Sequence, residues 1–313
     1  MQETDIAQRV WRGWDILTLR SAELTAEVVP GKGGDIHRLS IADGRDLLWS
    51  TPWGLRERGA VSVAGSDAEL YWESHPGGWQ TILPNGGMPT MSSGAWWSQH
   101  GEAWATPMDW RIESGALVLS GRLVRSPLAI ERRIRLDGGR LLLEEVIRNE
   151  GGEPVEAMWG QHPSFGPPLL GPGARIWTSA STIFEDPAVA GMPWPGQGDD
   201  LSTLPGPGSG QKRMVYLGDF PGERGLVRLE NAAVGLCVEM DWSLSAWPFL
   251  WYWLEAGAHH GFPLFSAGYV LALEPFSSWP GGIDLVRETT GTQLLLGPGE
   301  ALSGDLVLSV RSL

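Results

Sequence analysis

Apolar residues in this chain recur at every second position in short segments, which glycine or proline interrupts throughout. Residues 24–28 alternate in this way, and residues 128–136 do so except at Arg132. Near the C-terminus Leu306 and Leu308 share one parity, with polar residues between them. A period of two indicates strands with one buried face and one wet face. Since no segment has a sustained helical period, we predict an all-β fold, a large antiparallel β-sandwich.

Turn signals support this class and bear on domain organisation. Asp137-Gly138-Gly139 separates two strand-like runs and predicts a hairpin, and Gly297-Pro298-Gly299-Glu300 predicts another tight turn. The least regular part of the chain, residues 166–210, has two interpretations: a linker between domains, or long loops over one end of a sandwich. Strand-like patterning resumes after it without a change in composition, so we predict one domain over residues 1–313.

Charge and composition exclude several partner classes. The chain of 313 residues has 23 lysines and arginines against 37 aspartates and glutamates, a balance of −14. This balance argues against nucleic acid or an anionic membrane as the main partner. The first thirty residues lack an apolar signal-peptide core, and no apolar run is long enough to span a membrane. We therefore expect a soluble, cytoplasmic protein.

Three residues in unusual local settings are candidates for proton transfer. His100 precedes Gly101, which would let backbone or ligand approach closely. His162 precedes Pro163 at the end of a strand-like run. Glu274 ends an apolar run, where burial should raise its pKa. Imidazole and carboxylate are the usual pair for acid–base chemistry near neutral pH, although each residue alone is equally compatible with a structural role.

Metal and nucleotide cofactors are not predicted. His259 and His260 are adjacent, so in an extended strand they would point to opposite faces. The chain has no zinc-binding spacing, and Gly31-Lys32-Gly33-Gly34 lacks the spacing of a phosphate loop. Tryptophan is abundant, at 18 residues. Most should fill the core, and a few near the candidates could stack on the C–H faces of a sugar.

The three segments, in this order, resemble the aldose 1-epimerase (galactose mutarotase) superfamily. The matching segments are His100-Gly101-Glu102-Ala103-Trp104, Gly160-Gln161-His162-Pro163-Ser164-Phe165 and Leu273-Glu274-Pro275. Ile82-Leu83-Pro84-Asn85 resembles the family's Phe-Pro-Asn segment, and weaker matches span nearly the whole chain. The arginine that typical galactose mutarotases have after that segment is missing here, so the resemblance is to a divergent member.

The resemblance implies a mutarotase-like supersandwich that interconverts the α and β anomers of a small-molecule sugar without a cofactor. Glu274 would remove the proton of the anomeric hydroxyl, His162 would protonate the ring oxygen, and His100 would help to hold the substrate. These three side chains should converge on one open pocket, with His162 and Glu274 about a sugar ring apart. The expected substrate-binding residues are Asn85, Gln80, Trp79, Trp104 and Trp253.

Three alternatives stay open from the sequence. An epimerase of a phosphorylated or sulfonated sugar would need cations at the pocket, for which Arg56, Arg58 and Arg213 are candidates. A glycoside hydrolase would pair Glu274 with a second carboxylate. A non-catalytic carbohydrate-binding protein of the same fold would keep the tryptophans but would not need a proton donor.

Overall fold

A computed structural model describes residues 5–194 and 201–313 of the chain, and it confirms the predicted antiparallel all-β architecture. In chain order the strands are β1 (Asp5–Trp11), β2 (Trp14–Arg20), β3 (Leu24–Val29), β4 (Asp35–Ile41), β5 (Trp79–Ile82), β6 (Thr90–Ser92), β7 (Ala95–Trp97), β8 (Asp109–Glu113), β9 (Ala116–Arg122), β10 (Leu128–Asp137), β11 (Arg140–Asn149), β12 (Val155–Ala157), β13 (Gly160–Phe165), β14 (Ala174–Thr178), β15 (Thr182–Phe184), β16 (Met192–Pro193), β17 (Gln211–Gly218), β18 (Arg224–Asn231), β19 (Leu236–Ser243), β20 (Phe249–Ala256), β21 (Tyr269–Phe276), β22 (Leu294–Leu296) and β23 (Ala301–Ser312).

Two large sheets form the body of the molecule. Over the described residues the larger has eleven strands in the order β1-β2-β3-β4-β5-β13-β21-β20-β17-β15-β16. The smaller has eight, in the order β14-β18-β19-β23-β11-β10-β9-β8. The predicted hairpin at residues 137–139 is confirmed, because β10 and β11 pair up to Asp137 and Arg140. In β23 the alternating leucines Leu306 and Leu308 are fully buried, as their parity predicted.

Arg132, the charged residue that interrupts the apolar alternation of β10, forms a buried ion pair between the two sheets. Arg132 keeps the inward parity and is aligned with Glu145 of β11, and both side chains are fully buried. Arg132 Nε lies 3.3 Å from Glu145 Oε2. Glu145 also accepts hydrogen bonds from Thr81, Trp159 and Gln161, which belong to the larger sheet or flank it. The two sheets are thus joined by polar contacts as well as by the apolar core.

Short helices were not predicted. They are α1 (Asp67–Ser74), α2 (Ile283–Glu288) and a 3₁₀ turn at Ala103–Ala105. Ser66 begins α1 by accepting a hydrogen bond from the Glu69 backbone N–H, a Ser-x-x-Glu capping signal that is visible in the sequence. No helix within the described ranges is long and apolar enough to cross a membrane.

The irregular segment from 166 to 210 is more structured than predicted. It contains β14 at one edge of the smaller sheet and β15 and β16 at an edge of the larger sheet. Strands this short carry little periodic signal, which is why the sequence pattern missed them. Part of its proline-rich stretch, residues 195–200, lies outside the described residues.

Candidate active site

A cavity of about 680 Å³ opens on the larger sheet. Its floor is built from β13, β17, β20 and β21, and its walls come from α1 and from the loops near residues 86–88, 99–100 and 259–263. This volume lies within the roughly 300–1,000 Å³ typical of small-molecule sites. In β13 the side chain of Gln161 contacts Glu145 of the smaller sheet, whereas that of the adjacent His162 lines the cavity, so the cavity lies on the opposite face.

His162 and Glu274 lie opposite each other on neighbouring strands. In the antiparallel pairing of β13 with β21, Ser164 is aligned with Ala272. Two residues further along each strand, this register brings His162 opposite Glu274. Residues that are directly opposite share a face, with Cβ atoms about 4.5–5.5 Å apart. Accordingly, His162 Nε2 lies 3.6 Å from Glu274 Oε1, closer than the expected width of a sugar ring.

Glu274 is a carboxyl group that no lysine or arginine of the described residues pairs with. Its side chain is 2% exposed, and within the described part of the chain its Oε2 atom has no hydrogen-bond partner. Burial raises the pKa of Glu274 well above its ordinary value, as the sequence predicted. A carboxyl group in this state can hold a proton near neutral pH.

His162 is held as a neutral imidazole. Its Nδ1 atom lies 3.2 Å from the Ser164 hydroxyl, which fixes the orientation of the ring. Burial lowers the pKa of His162 to about 4. The opposite shifts of His162 and Glu274 have the same cause, because burial penalises whichever form carries a charge.

His100 joins this pair from a strained turn. Its ring centroid lies 5.3 Å from that of His162, and its backbone N–H donates to the Gly87 carbonyl at 3.0 Å. The residue has φ +57°, and the next, Gly101, also has positive φ. A Cβ at Gly101 would lie 2.2 Å from the Leu83 carbonyl oxygen, so the close approach predicted for this glycine is confirmed. Burial also lowers the pKa of His100 well below its ordinary value.

Asn85 is fully buried and is not among the residues that line the cavity. Its side-chain amide donates to the carbonyls of Met88 at 2.9 Å and Ser98 at 3.1 Å, and its Oδ1 accepts from the Ile283 N–H at 3.0 Å. These bonds tie the loop that carries His100 to the start of α2. The expectation that Asn85 contacts a sugar is therefore corrected, because the protein itself occupies its polar atoms.

Gln80 is likewise withdrawn from the cavity surface. It is fully buried, donates to Asp35 Oδ2 at 2.8 Å and accepts from the Tyr71 hydroxyl at 2.9 Å. It is aligned with His162 in the β5–β13 pairing, but it does not line the cavity, and Tyr71, which does, bonds its side-chain oxygen. The position of Gln80 supports an indirect role in the site, through its hydrogen bond with Tyr71 rather than through contact with a ligand.

The predicted tryptophans divide into three cases. Trp253 lines the cavity, as expected. Trp79 has the opposite parity to Gln80, is fully buried and donates to Gln161 at 3.0 Å, so it belongs to the core. Trp104 is buried behind the turn that carries His100, and its Nε1 donates to the Gly101 carbonyl at 3.0 Å. Trp79 and Trp104 are therefore corrected to structural positions.

Several cavity residues were missed by the sequence interpretation. Tyr71, Trp72 and His75 come from α1 and its C-terminal end, and Tyr216 and Trp251 come from the floor strands. The strand residues could have been found by parity, because Trp251 is aligned with Glu274 in the β20–β21 pairing. The helix residues had no comparable signal, since only Tyr71 of α1 is buried.

The cavity contains no lysine or arginine among its described lining residues. Arg56 pairs with Glu73 at 3.2 Å, Arg58 stacks on an indole ring elsewhere, and Arg213 pairs with Glu185. The three arginines considered for an anionic substrate thus lie outside the lining. In the described ranges no group of three or more histidine, cysteine, aspartate or glutamate side chains is arranged to hold a metal ion.

Comparison with known protein families shows to which family the chain belongs. The model of a domain of unknown function, DUF4432, matches residues 11–310. The chain belongs to this family. A search of curated proteins found no match to this DUF4432 chain.

Solved structures share the fold of this DUF4432 chain at low sequence identity. A protein from Klebsiella pneumoniae, provisionally assigned as an aldose 1-epimerase, superposes with a TM-score of 0.81 at 18% identity, covering 99% of this chain and 84% of the other. A second protein with that provisional assignment, from Escherichia coli K12, has a TM-score of 0.69 at 20% identity over 95% and 99% of the two chains. A galactose mutarotase-like protein from Lactobacillus casei has a TM-score of 0.68 at 16% identity over 95% and 100%. The galactose mutarotase-like fold is thereby shown.

Proposed function

We propose that this protein is an aldose 1-epimerase that interconverts the anomers of a neutral sugar. The single observation that carries the proposal is the approach of His162 Nε2 to Glu274 Oε1, 3.6 Å apart in the cavity. Both oxygens of a hemiacetal are bonded to the same carbon. The two groups therefore need to span only the anomeric centre, and their small separation suits this reaction.

The electrostatics of the pair define a starting state. Burial favours the neutral form of each group, so His162 and Glu274 share one proton, which resides on the carboxyl group. One proton on two groups is what a coupled acid and base require. This start reverses the roles expected from the sequence, although the two groups exchange roles during each turnover.

Ring opening then proceeds by two proton transfers. His162 takes the proton of the anomeric hydroxyl while Glu274 protonates the ring oxygen, and the bond between that oxygen and the anomeric carbon breaks. The product is the open-chain aldehyde beside an imidazolium and a carboxylate. Rotation about the C1–C2 bond presents the other carbonyl face, and the reverse transfers close the ring as the other anomer. Each positioned transfer is worth about 10²–10⁴ in rate.

The surroundings of the pair support sugar binding. His100 supplies a further neutral imidazole beside His162, suited to a hydrogen bond with the substrate. Trp72 of the wall and Trp253 of the floor have ring centroids 6.4 Å apart, so they offer apolar faces to the C–H face of a sugar. The lack of cations among the described lining residues favours a neutral sugar over a phosphorylated or sulfonated one.

The hydrolase alternative has less support. A glycosidase needs two carboxyl groups across the scissile bond. Among the described lining residues, the only carboxylate side chain besides Glu274 is that of Glu69. It is exposed and accepts a hydrogen bond from the Gly65 N–H at 2.6 Å. The nearest functional partner of Glu274 is an imidazole.

Anomer interconversion can be measured directly. Freshly dissolved α-anomers of a panel of neutral aldoses would be followed by polarimetry and exchange NMR with wild-type protein and with Glu274→Gln and His162→Asn. We expect acceleration by the wild type and its loss, by about 10²-fold or more, in both variants. Glu255→Gln is the matched control, because Glu255 is a buried glutamate of β20 that accepts from the His259 N–H and does not line the cavity. Sugar binding without any acceleration would instead support a non-catalytic carbohydrate-binding protein.

A further inference from the structure

His75 is a buried cavity residue that the proposed reaction does not use. It follows the last residue of α1, is 1% exposed, and its backbone N–H closes the helix by donating to the Trp72 carbonyl at 3.3 Å. Its ring lies in the cavity wall, with its centroid 6.1 Å from that of His162. A polar ring in this position needs either a protein partner or a ligand at each nitrogen.

A chain of directional hydrogen bonds reaches His75 from the interior. Lys32 Nζ donates to Asp35 Oδ2 at 2.9 Å, and Gln80 Nε2 donates to the same oxygen at 2.8 Å. Because the amide nitrogen of Gln80 is committed to a carboxylate, its oxygen faces the other way and accepts from the Tyr71 hydroxyl at 2.9 Å. The acceptor role of Asp35 Oδ2, which the Lys32 ammonium requires, therefore sets the direction of the bonds from Gln80 to Tyr71.

The chain determines the tautomer of His75. The Tyr71 hydroxyl proton is given to Gln80, so the Tyr71 oxygen can only accept at its 3.3 Å contact with His75 Nδ1. The imidazole thus carries its proton on Nδ1 and keeps a lone pair on Nε2. Burial lowers the pKa of His75 well below its ordinary value, which keeps the ring neutral.

We infer that His75 is a substrate-binding residue whose Nε2 accepts a hydrogen bond from a hydroxyl of the neutral sugar. This inference rests on the proposed function, and it adds a residue that selects which hydroxyl the sugar must have. Turning this acceptor into a donor would require the Tyr71 hydroxyl to rotate from Gln80 to His75 Nδ1, which would leave the buried Gln80 oxygen without that donor. A sugar lacking that hydroxyl would leave the acceptor unpaired in a buried site, which is costly.

The test compares His75→Leu with wild type on the best aldose and on each of its monodeoxy derivatives. We expect kcat/KM of His75→Leu to fall about 10- to 100-fold on the parent sugar. For one monodeoxy sugar, kcat/KM should already be low with the wild type. With His75→Leu it should fall by no more than about a further twofold. His75→Gln, which keeps an acceptor, should recover part of the loss.

Two further variants separate recognition from folding. Tyr71→Phe keeps the packing but removes the hydroxyl that orients His75, so it should lower kcat/KM about 3- to 10-fold on the same sugars. His37→Leu replaces another buried histidine, which lies in β4 outside the cavity lining, and it should leave kcat/KM unchanged in the folded protein. An equal loss by His75→Leu on the parent and on every monodeoxy sugar, or no loss on any, would overturn the inference.

Binding measured without turnover keeps this inference distinct from the proposed reaction. The fluorescence of Trp72, Trp251 and Trp253 should report occupancy of the cavity. In a Glu274→Gln background, adding His75→Leu should raise Kd by the same factor on the parent sugar and not on the selected monodeoxy sugar. If wild type accelerates no anomer exchange but this pattern in Kd holds, the proposed reaction fails and the role of His75 stands. If no neutral aldose binds, both fail.

Discussion

Glu145 of β11 and Glu274 of β21 are both buried glutamates on central strands of their sheets, yet their surroundings differ. Glu145, between the sheets, has Arg132 beside it and accepts from Thr81, Trp159 and Gln161. Glu274, on the cavity face, has one imidazole at 3.6 Å and an oxygen without a hydrogen-bond partner in the described structure. The fully partnered carboxylate joins the sheets, whereas the poorly partnered one retains the capacity to exchange a proton.

The largest expected effect is on turnover at the poorly partnered site. Glu274→Gln should lower kcat for anomer exchange by about 10²- to 10⁴-fold, because the amide cannot exchange the proton. The free energy of unfolding should stay within about 1 kcal/mol of wild type, since a neutral amide replaces a carboxyl group that burial already keeps neutral. Polarimetry and urea denaturation on the same preparation measure both quantities. A large loss of stability would show that Glu274 resembles Glu145 after all.

The converse substitution should affect stability. Glu145→Gln leaves the guanidinium of Arg132 buried without its counter-charge and should lower the free energy of unfolding by about 3–5 kcal/mol. At temperatures where the variant is folded, its kcat should stay close to that of wild type. Urea denaturation supplies the stability, and the double variant Arg132→Met/Glu145→Leu is the control, expected to recover most of it because no lone charge remains. Equal destabilisation in the double variant would contradict this account.

The pH dependence distinguishes the two sites further. Burial lowers the pKa of His162 to about 4 and raises that of Glu274 well above its ordinary value, so between these two values the pair holds one proton. Below about pH 4 His162 takes up a second proton and the base is lost. Above the raised pKa of Glu274 the last proton leaves and the acid is lost. A plot of log(kcat/KM), which reports the groups of the free protein, against pH should therefore fall on both sides, by about one unit per pH unit. In Glu145→Gln the same profile is expected, and a displaced acid limb there would contradict the separation of the two sites.

The smallest expected effect is on the binding of the sugar to Trp253, an aromatic residue of β20 that lines the cavity. Trp253→Ala removes an aromatic face near the pair and should raise KM about 3- to 10-fold with little change in kcat, because stacking stabilises bound sugar and transition state alike. Steady-state kinetics measure the split between the two constants. Trp79→Phe, a change in the core on the opposite face of the sheet, should leave KM unaltered and is the matched control.

Sequence patterns predicted the strands, and the convergence of the three proton-transfer candidates on one cavity, better than they predicted the rest of the lining. Alternation in residues 128–136 and the turn at residues 137–139 indicated the sheet, and three local segments indicated His100, His162 and Glu274. The predicted sugar contacts failed at Asn85 and Gln80 because buried polar side chains first satisfy the protein's own backbone and neighbours.

The contribution of α1 to the cavity could not be predicted for a different reason. A helix that buries a single residue, Tyr71, has no apolar stripe and hence no period of 3.6. The tautomer inferred for His75 depends on Lys32 and Asp35, which lie 43 and 40 positions earlier in the chain and are brought near it only by folding.

The alignment of β13 with β21 fixes the spacing of His162 and Glu274 on which the proposed chemistry depends. The distance between His162 Nε2 and Glu274 Oε1 follows from the register of β13 and β21, which pair on both sides of these residues, rather than from the surrounding loops. Loops and the short helix can then diverge to accept new sugars while the spacing of the proton donor and acceptor persists. A scaffold of this kind separates the evolution of selectivity from that of rate.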